Sequence, residues 1–145
     1  MRILVPLDLG PTTAPVLAAV RRIAARDDAQ VFLLHVAEPD PAFVGYEAGS
    51  EGVRDQVAHE YRAQHRELQA HAEALRAGGI AATALLIRGP TAMTILREAQ
   101  RLPADLLVMA THGRGAMFDL LVGSVSHAVL RGTSVPLLLV PVRAG

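Results

Sequence analysis

Residues 2–36 read RILVPLDLGPTTAPVLAAVRRIAARDDAQVFLLHV. Two apolar runs flank a segment of different periodicity. RILVPLD, at 2–8, is rich in branched apolar residues and does not alternate with polar ones, as expected of a strand buried on both faces. Gly10 and Pro11 break the run, and Thr12 or Thr13 is placed to cap a following helix. Val16, Leu17, Val20, Ile23 and Ala24 then recur at helical spacing. QVFLLHV, at 30–36, is a second unalternating run. A strand, a helix and a second strand of this kind form the unit of a parallel sheet covered on both sides.

The same alternation continues down the chain. Residues 37–50, AEPDPAFVGYEAGS, read as a loop from their prolines and glycines. A long polar helix is predicted from 51 to about 77, with Val53, Val57, Tyr61, Leu68, Ala72 and Leu75 as its apolar stripe and Gly78 and Gly79 at its end. A third strand is expected at 82–88. The helix that follows, over 89–102, has Pro90 near its first turn. A fourth strand at 105–111, a short helix at 124–131 and a fifth strand at 136–142 complete the order. The fold class is α/β, a single doubly wound domain over residues 1–145, without internal repeat. Such folds bind ligands beyond the carboxyl ends of their strands, where strand order reverses. Asp8, Val36 and Thr111 lie at such ends.

Composition removes several function classes. The 145 residues are 51% hydrophobic and 19% charged, with zero formal net charge. That argues for a packed domain and against charge-driven binding to nucleic acid or acidic membranes. Without cysteine there is no disulfide framework, thiol nucleophile or cysteine-ligated zinc. The chain also has no lysine and no asparagine, so a Walker P-loop, a kinase site and a pyridoxal phosphate Schiff base are excluded. The first residues meet Asp8 too early for a signal peptide, and no apolar run is long enough to span a bilayer. A cytoplasmic location is expected.

The stretch that reads as neither ordinary core nor ordinary surface is MATHGRGAMFDLLVGSVSHAVL, residues 109–130. Glycine lets backbone N–H groups approach a phosphate without a Cβ in the way, and a helix N-terminus adds unpaired N–H groups with partial positive charge. Gly113, Gly123 and Ser124 at the start of the last helix could so form an anion cradle that needs no lysine. The plainer alternative is that Gly113 turns the chain and Ser124 caps the helix.

These residues are similar to those of a known family. ATHGRG, followed nine residues after Gly113 by GSVSHAVL and then by SVPLLLVPV, resembles the universal stress protein family. ILVPLD, LLHV and RGPTAMTIL match it in order, so the resemblance covers essentially the whole chain. It implies a five-stranded parallel sheet in the order 3-2-1-4-5, a homodimer through the last strand (Leu137–Val140), ATP binding with magnesium and a regulatory role in stress through a protein partner. Carried over by position, Pro6, Leu7, Asp8 and Val36 would lie near adenine and ribose, Met109 and Ala110 on the ribose side, and Gly113, Gly123, Ser124 and Val125 at the phosphates. Arg114 could pair with the terminal phosphate. The sequence departs from the motif at Ala110, which stands where the motif has its first glycine. If that position requires positive φ, alanine costs about 1–2 kcal/mol, roughly tenfold in affinity. DLGPTT also departs from the family's Asp-Gly-Ser, which leaves Thr12 a weak candidate for the triphosphate.

Other residues carry less. His59, His65 and His71 recur every six positions and share no helix face, so they form no HExxH-type zinc site. His35 reads as a satisfied strand-end histidine, and His112 lies close to any phosphate. GSVSH lacks the spacing of a nucleophile elbow. Phe43 and Tyr46 could cover a ligand or one end of the sheet. Two rivals stand beside the ATP-binding regulator. One is a dimeric interaction module that binds no nucleotide, which Ala110 favours. The other is an adenylyl-transfer enzyme, for which the expected glycine-rich loop after the first strand is absent.

Overall fold

The apolar runs become the strands of one parallel sheet. The computed structural model describes residues 1–26, 28–38, 51–112 and 122–142. Its strands are β1 (Arg2–Pro6), β2 (Gln30–Ala37), β3 (Ala81–Arg88), β4 (Leu106–Ala110) and β5 (Leu137–Val140). They alternate with helices α1 (Thr13–Ala24), α2 (Glu51–Ala77), α3 (Thr91–Arg101) and α4 (Ser124–Gly132). The sheet order is β3-β2-β1-β4-β5, with every neighbouring pair parallel.

Both faces of the sheet are buried, which is why the strands do not alternate in sequence. Ile3, Val5 and Leu7 face Val16, Leu17 and Val20 of α1 and Leu68, Ala72 and Leu75 of α2. The intervening Leu4, with Phe32, Leu34 and Met109, faces Ile95 and Ala99 of α3 and Val129 of α4. Successive strand side chains point to opposite faces, so the inner residues of a central strand find a core on either side. Burial of each such side chain is worth about 1.5–3 kcal/mol. Helix α2 is further fixed to the outer strand: the Tyr61 hydroxyl donates to the Leu86 carbonyl at 3.2 Å, and the Arg88 guanidinium lies 4.4 Å above its ring.

Strand order reverses between β1 and β4. β1 stays in register with β2 from Arg2↔Gln30 to Pro6↔Leu34. Its pairing with β4 is confined to Ile3↔Leu106 and Leu4↔Leu107. Beyond Leu4 the two strands are no longer paired, at the point where folds of this kind have their ligand crevice. Several strands are shorter than their apolar runs: β1 ends at Pro6 rather than at residue 8, and β4 at Ala110 rather than at 111.

Candidate functional site

Three strand ends and one helix start meet this crevice. At β1, the Leu7 N–H still donates to the Leu34 carbonyl at 2.8 Å, and then the chain turns sharply. Leu9 has φ 59°, the left-handed region. That conformation costs a non-glycine residue about 1–2 kcal/mol, a strain that needs support from its surroundings. Asp8 supplies it: Oδ1 accepts from the Gly10 N–H at 2.9 Å and from the Thr12 hydroxyl at 2.8 Å. Thr12 sits at the N-cap of α1, yet its side chain makes no cap bond; the hydroxyl is committed to Asp8 instead. Asp8 Oδ2 and Thr13 Oγ1 are buried and have no partner among the described residues. A buried acceptor left unpaired is costly, and Oδ2 therefore suits a donor that folding does not provide, such as a sugar hydroxyl or the water of a bound cation.

At β2 the backbone is the functional part. Within a parallel sheet both backbone groups of a residue point to one neighbour, and consecutive residues point to opposite neighbours. The Leu34 carbonyl accepts from Leu7, on the β1 side, and the Ala37 carbonyl accepts from the Gly89 N–H at 3.3 Å, on the β3 side. Val36 therefore turns its N–H and C=O toward the β1 side, just beyond the end of that strand. The Leu7 carbonyl, which would accept Val36 N–H if the ladder continued, is bonded by His35 Nδ1 at 2.7 Å. The Val36 side chain is buried among α3-side residues, so its backbone alone can meet a ligand.

At β4, Met109 is core. Ala110 pairs with Val140, and its carbonyl accepts from the Ser126 hydroxyl at 2.8 Å. Leu9 is the only described non-glycine residue with positive φ, so the left-handed cost does not apply at Ala110. Its methyl packs into the core on the α1 side. Thr111 ties α4 to the strand end, since its carbonyl accepts from the Gly123 N–H at 2.7 Å. Gly123 is the N-cap of α4, at φ −70° and ψ 168°, which any residue can adopt. Its own N–H is committed to Thr111, and it has no side chain with which to cap. The first-turn amides of Ser124, Val125 and Ser126 are thus left without a side-chain cap, the arrangement that favours an anion. Ser124 is exposed and Val125 half-buried. His112 Nδ1 lies 3.0 Å from the Thr111 hydroxyl.

The fold thus brings Pro6, Leu7, Asp8, Val36, Met109, Ala110, Gly123, Ser124 and Val125 to one end of the sheet. Gly113, Arg114, Phe43 and Tyr46 lie outside the described residues. Among the described residues no three His, Asp or Glu side chains gather, and the three histidines of α2 do not converge. Sequence reasoning missed two supports. Ser126 holds the Ala110 carbonyl, a bond across 16 residues. Glu38 caps α3, its Oε1 accepting from the Thr91 N–H at 2.9 Å and the Thr91 hydroxyl at 2.6 Å, and these bonds hold its carboxyl below the ordinary range. Nothing local in the sequence joins residue 38 to residue 91. A cavity of about 380 Å³ lies at the opposite end of the strands, between the last turns of α1 and α2, and is lined mainly by Ala24, Ala25, Leu75, Gly78 and Gly79 beside Arg21.

Residues 1–141 match the model of the universal stress protein family. The chain is 34% identical to a universal stress protein of Thermus aquaticus, over 85% of this chain and 86% of that one. It is 29% identical to universal stress protein A homolog 2 of Coxiella burnetii, over 98% and 95%. Among solved structures, the protein MJ0577 superposes with a TM-score of 0.84 at 22% identity, covering 99% of this chain and 97% of that one. A family member from Arabidopsis thaliana with AMP bound has a TM-score of 0.72 at 16% identity, over 99% and 93%. A universal stress protein in complex with cAMP has a TM-score of 0.67 at 19% identity, over 100% and 98%. At these identities the structural likenesses show the shared fold.

Proposed function

The chain belongs to the universal stress protein family, and on that premise we propose that it is a nucleotide-responsive regulator that binds ATP in the crevice between β1 and β4. The observation that carries this reading is the set of unsatisfied groups at one strand end: the Asp8 Oδ2 acceptor, the Val36 backbone pair and the uncapped start of α4. Each suits a different part of one ligand. An N–H beside a C=O matches the ring acceptor and amino donor on the edge of adenine, whereas guanine presents the reverse pattern. Asp8 Oδ2 would accept from ribose or from a magnesium-bound water. The amides of Ser124 and Val125, with the Ser124 hydroxyl, would receive phosphate oxygens, without any lysine. Gly113 and Arg114 would complete the phosphate side. Magnesium, held mostly by the phosphates, would supply charge neutralisation. The AMP and cAMP held by two structural neighbours support a nucleotide as the ligand class.

The second element is the sheet edge. β5 is the last strand, and Leu138 and, on α4, Leu130 are exposed at 39% and 49%. An open apolar edge suits pairing with a second copy through Leu137–Val140. Nucleotide occupancy at α4 and β4 would then bias how a cytoplasmic homodimer meets an unidentified protein partner in stress. Nothing here calls for nucleic acid or membrane; among the described residues no helix is long and apolar enough to cross a bilayer.

The test is calorimetry on protein stripped of nucleotide. Mg-ATP should bind with a micromolar Kd, and Mg-GTP at least tenfold more weakly. An absence of heat up to millimolar ATP would overturn the reading in favour of a dimeric interaction module, the alternative that Ala110 at a glycine position favours.

A further inference from the structure

We infer that His35 is a positioning residue, whose imidazole holds the Leu7 carbonyl in an orientation that leaves the Val36 N–H, its next partner along the ladder, open. The inference rests on the nucleotide reading for its purpose, but the device itself stands on two bonds and one missing rung. Leu7 N–H donates to Leu34 O at 2.8 Å, the regular next rung of the β1–β2 ladder beyond Pro6↔Leu34. The rung after it would run from Val36 N–H to Leu7 O. The structure instead has His35 Nδ1 on that oxygen at 2.7 Å, in a buried setting. A carbonyl only accepts, so Nδ1 carries the proton. The imidazole thereby satisfies a carbonyl at the strand end while the main-chain donor two residues beyond Leu34 stays free. Leu7 is also the residue before Asp8, so the same bond fixes the peptide from which the Asp8 turn begins. One side chain holds in place both the backbone pair and the carboxylate that the proposed nucleotide would meet.

A histidine that merely filled core would predict nothing for the Val36 amide. The positioning role does. In the nucleotide-free protein, His35→Leu should let the ladder gain its missing rung, and exchange of the Val36 amide, followed by NMR, should slow by about tenfold or more relative to wild type. The same variant should lose about three- to tenfold in ATP affinity, the worth of one hydrogen bond. His35→Asn places an N–H close to the position of Nδ1 and should restore both values toward wild type. Unchanged exchange at Val36 in His35→Leu would overturn the inference, whatever happens to ATP. A slowed amide in a protein that never binds ATP would uphold the device and discard the nucleotide reading. If His35→Leu does not fold, the nitrogen shifts of His35 in the wild-type protein decide: an Nδ1–H tautomer supports the geometry, and an Nε2–H tautomer overturns it.

Discussion

The two ends of the sheet treat polar groups differently. At the amino ends of the strands they are used up in pairs. Arg2 N–H donates to Asp105 Oδ2 at 2.7 Å, and Asp105 N–H returns to the Arg2 carbonyl at 2.8 Å. Arg76 reaches the Ala82 carbonyl at 2.7 Å, and α2 ends in a glycine turn, with Ile80 N–H on Leu75 O at 3.0 Å. At the carboxyl ends, satisfied pairs such as Glu38–Thr91 and Ser126–Ala110 stand beside groups that are left over. All three buried side-chain atoms without partners among the described residues, Asp8 Oδ2, Thr13 Oγ1 and Thr94 Oγ1, belong to the strand-to-helix junctions there. Leu9, the one left-handed non-glycine residue among the described residues, is there too. Unsatisfied groups and strain are unfavourable in a free-standing fold. Their concentration at one end, away from the cavity between α1 and α2, is what the proposed nucleotide site would account for.

Substitutions at the two ends should therefore separate affinity from stability. The largest effect is expected at the carboxyl end. Gly123→Val places a branched side chain at the mouth of α4 and should abolish the heat of Mg-ATP binding while circular dichroism stays that of the folded protein. Unchanged affinity would sink the phosphate reading of α4. Next comes Gly79→Ala at the amino end. Gly79 has φ 84° with open space around its missing Cβ, so the cost is conformational, about 1–2 kcal/mol in urea unfolding, with ATP affinity untouched. A matching loss of affinity would mean that the two ends are not independent.

A smaller effect concerns Glu38, whose carboxyl is held low by its bonds to Thr91. A depressed pKa stabilises the fold above the ordinary carboxylate range and loses that contribution as pH falls through the lowered value. Glu38→Gln should then be less stable than wild type at neutral pH by under about 1 kcal/mol, since the site is exposed. The gap should close in acid below pH ~4. A gap that does not change with pH would remove the carboxylate cap from the account. The smallest effect is at Ala110. With ordinary φ and a methyl turned into the core, Ala110→Gly should leave ATP affinity equal or slightly better. A marked loss, read by the same calorimetry, would mean that the methyl belongs to the site.

Much of the fold was legible because it follows from short-range pattern. Unalternating runs such as VFLLHV announce a sheet buried on both faces, and the spacing of Val16, Leu17 and Val20 announces the helix that covers one of them. Strand ends were less so. RILVPLD looks apolar to Leu7, but the Asp8 turn stops β1 at Pro6. Asp8, Val36, Gly113, Gly123 and Ser124 were named from strand ends and glycine spacing, and Pro6, Leu7, Met109, Ala110 and Val125 from the family resemblance; the fold brings the described ones to one end of the sheet. Their roles were not legible. Thr12 reads as a helix cap and is instead a clamp on Asp8. Gly123 reads as a phosphate donor, and its N–H serves Thr111. Ser126 and Glu38 could not be found at all, because their partners lie 16 and 53 residues away.

The sequence by itself determined the alternation of strands and helices, the burial of both sheet faces and the exclusion of lysine- and cysteine-based chemistry. Each depends on residue type and on spacing within a few turns of chain. Only the tertiary structure decided which polar groups at the crevice are satisfied. A hydrogen bond is a matter of distance and direction between groups that the chain brings together late, as with His35 and the Leu7 carbonyl, 28 residues apart. What such bonds leave unpaired, above all Asp8 Oδ2 and the start of α4, is a property of the folded whole.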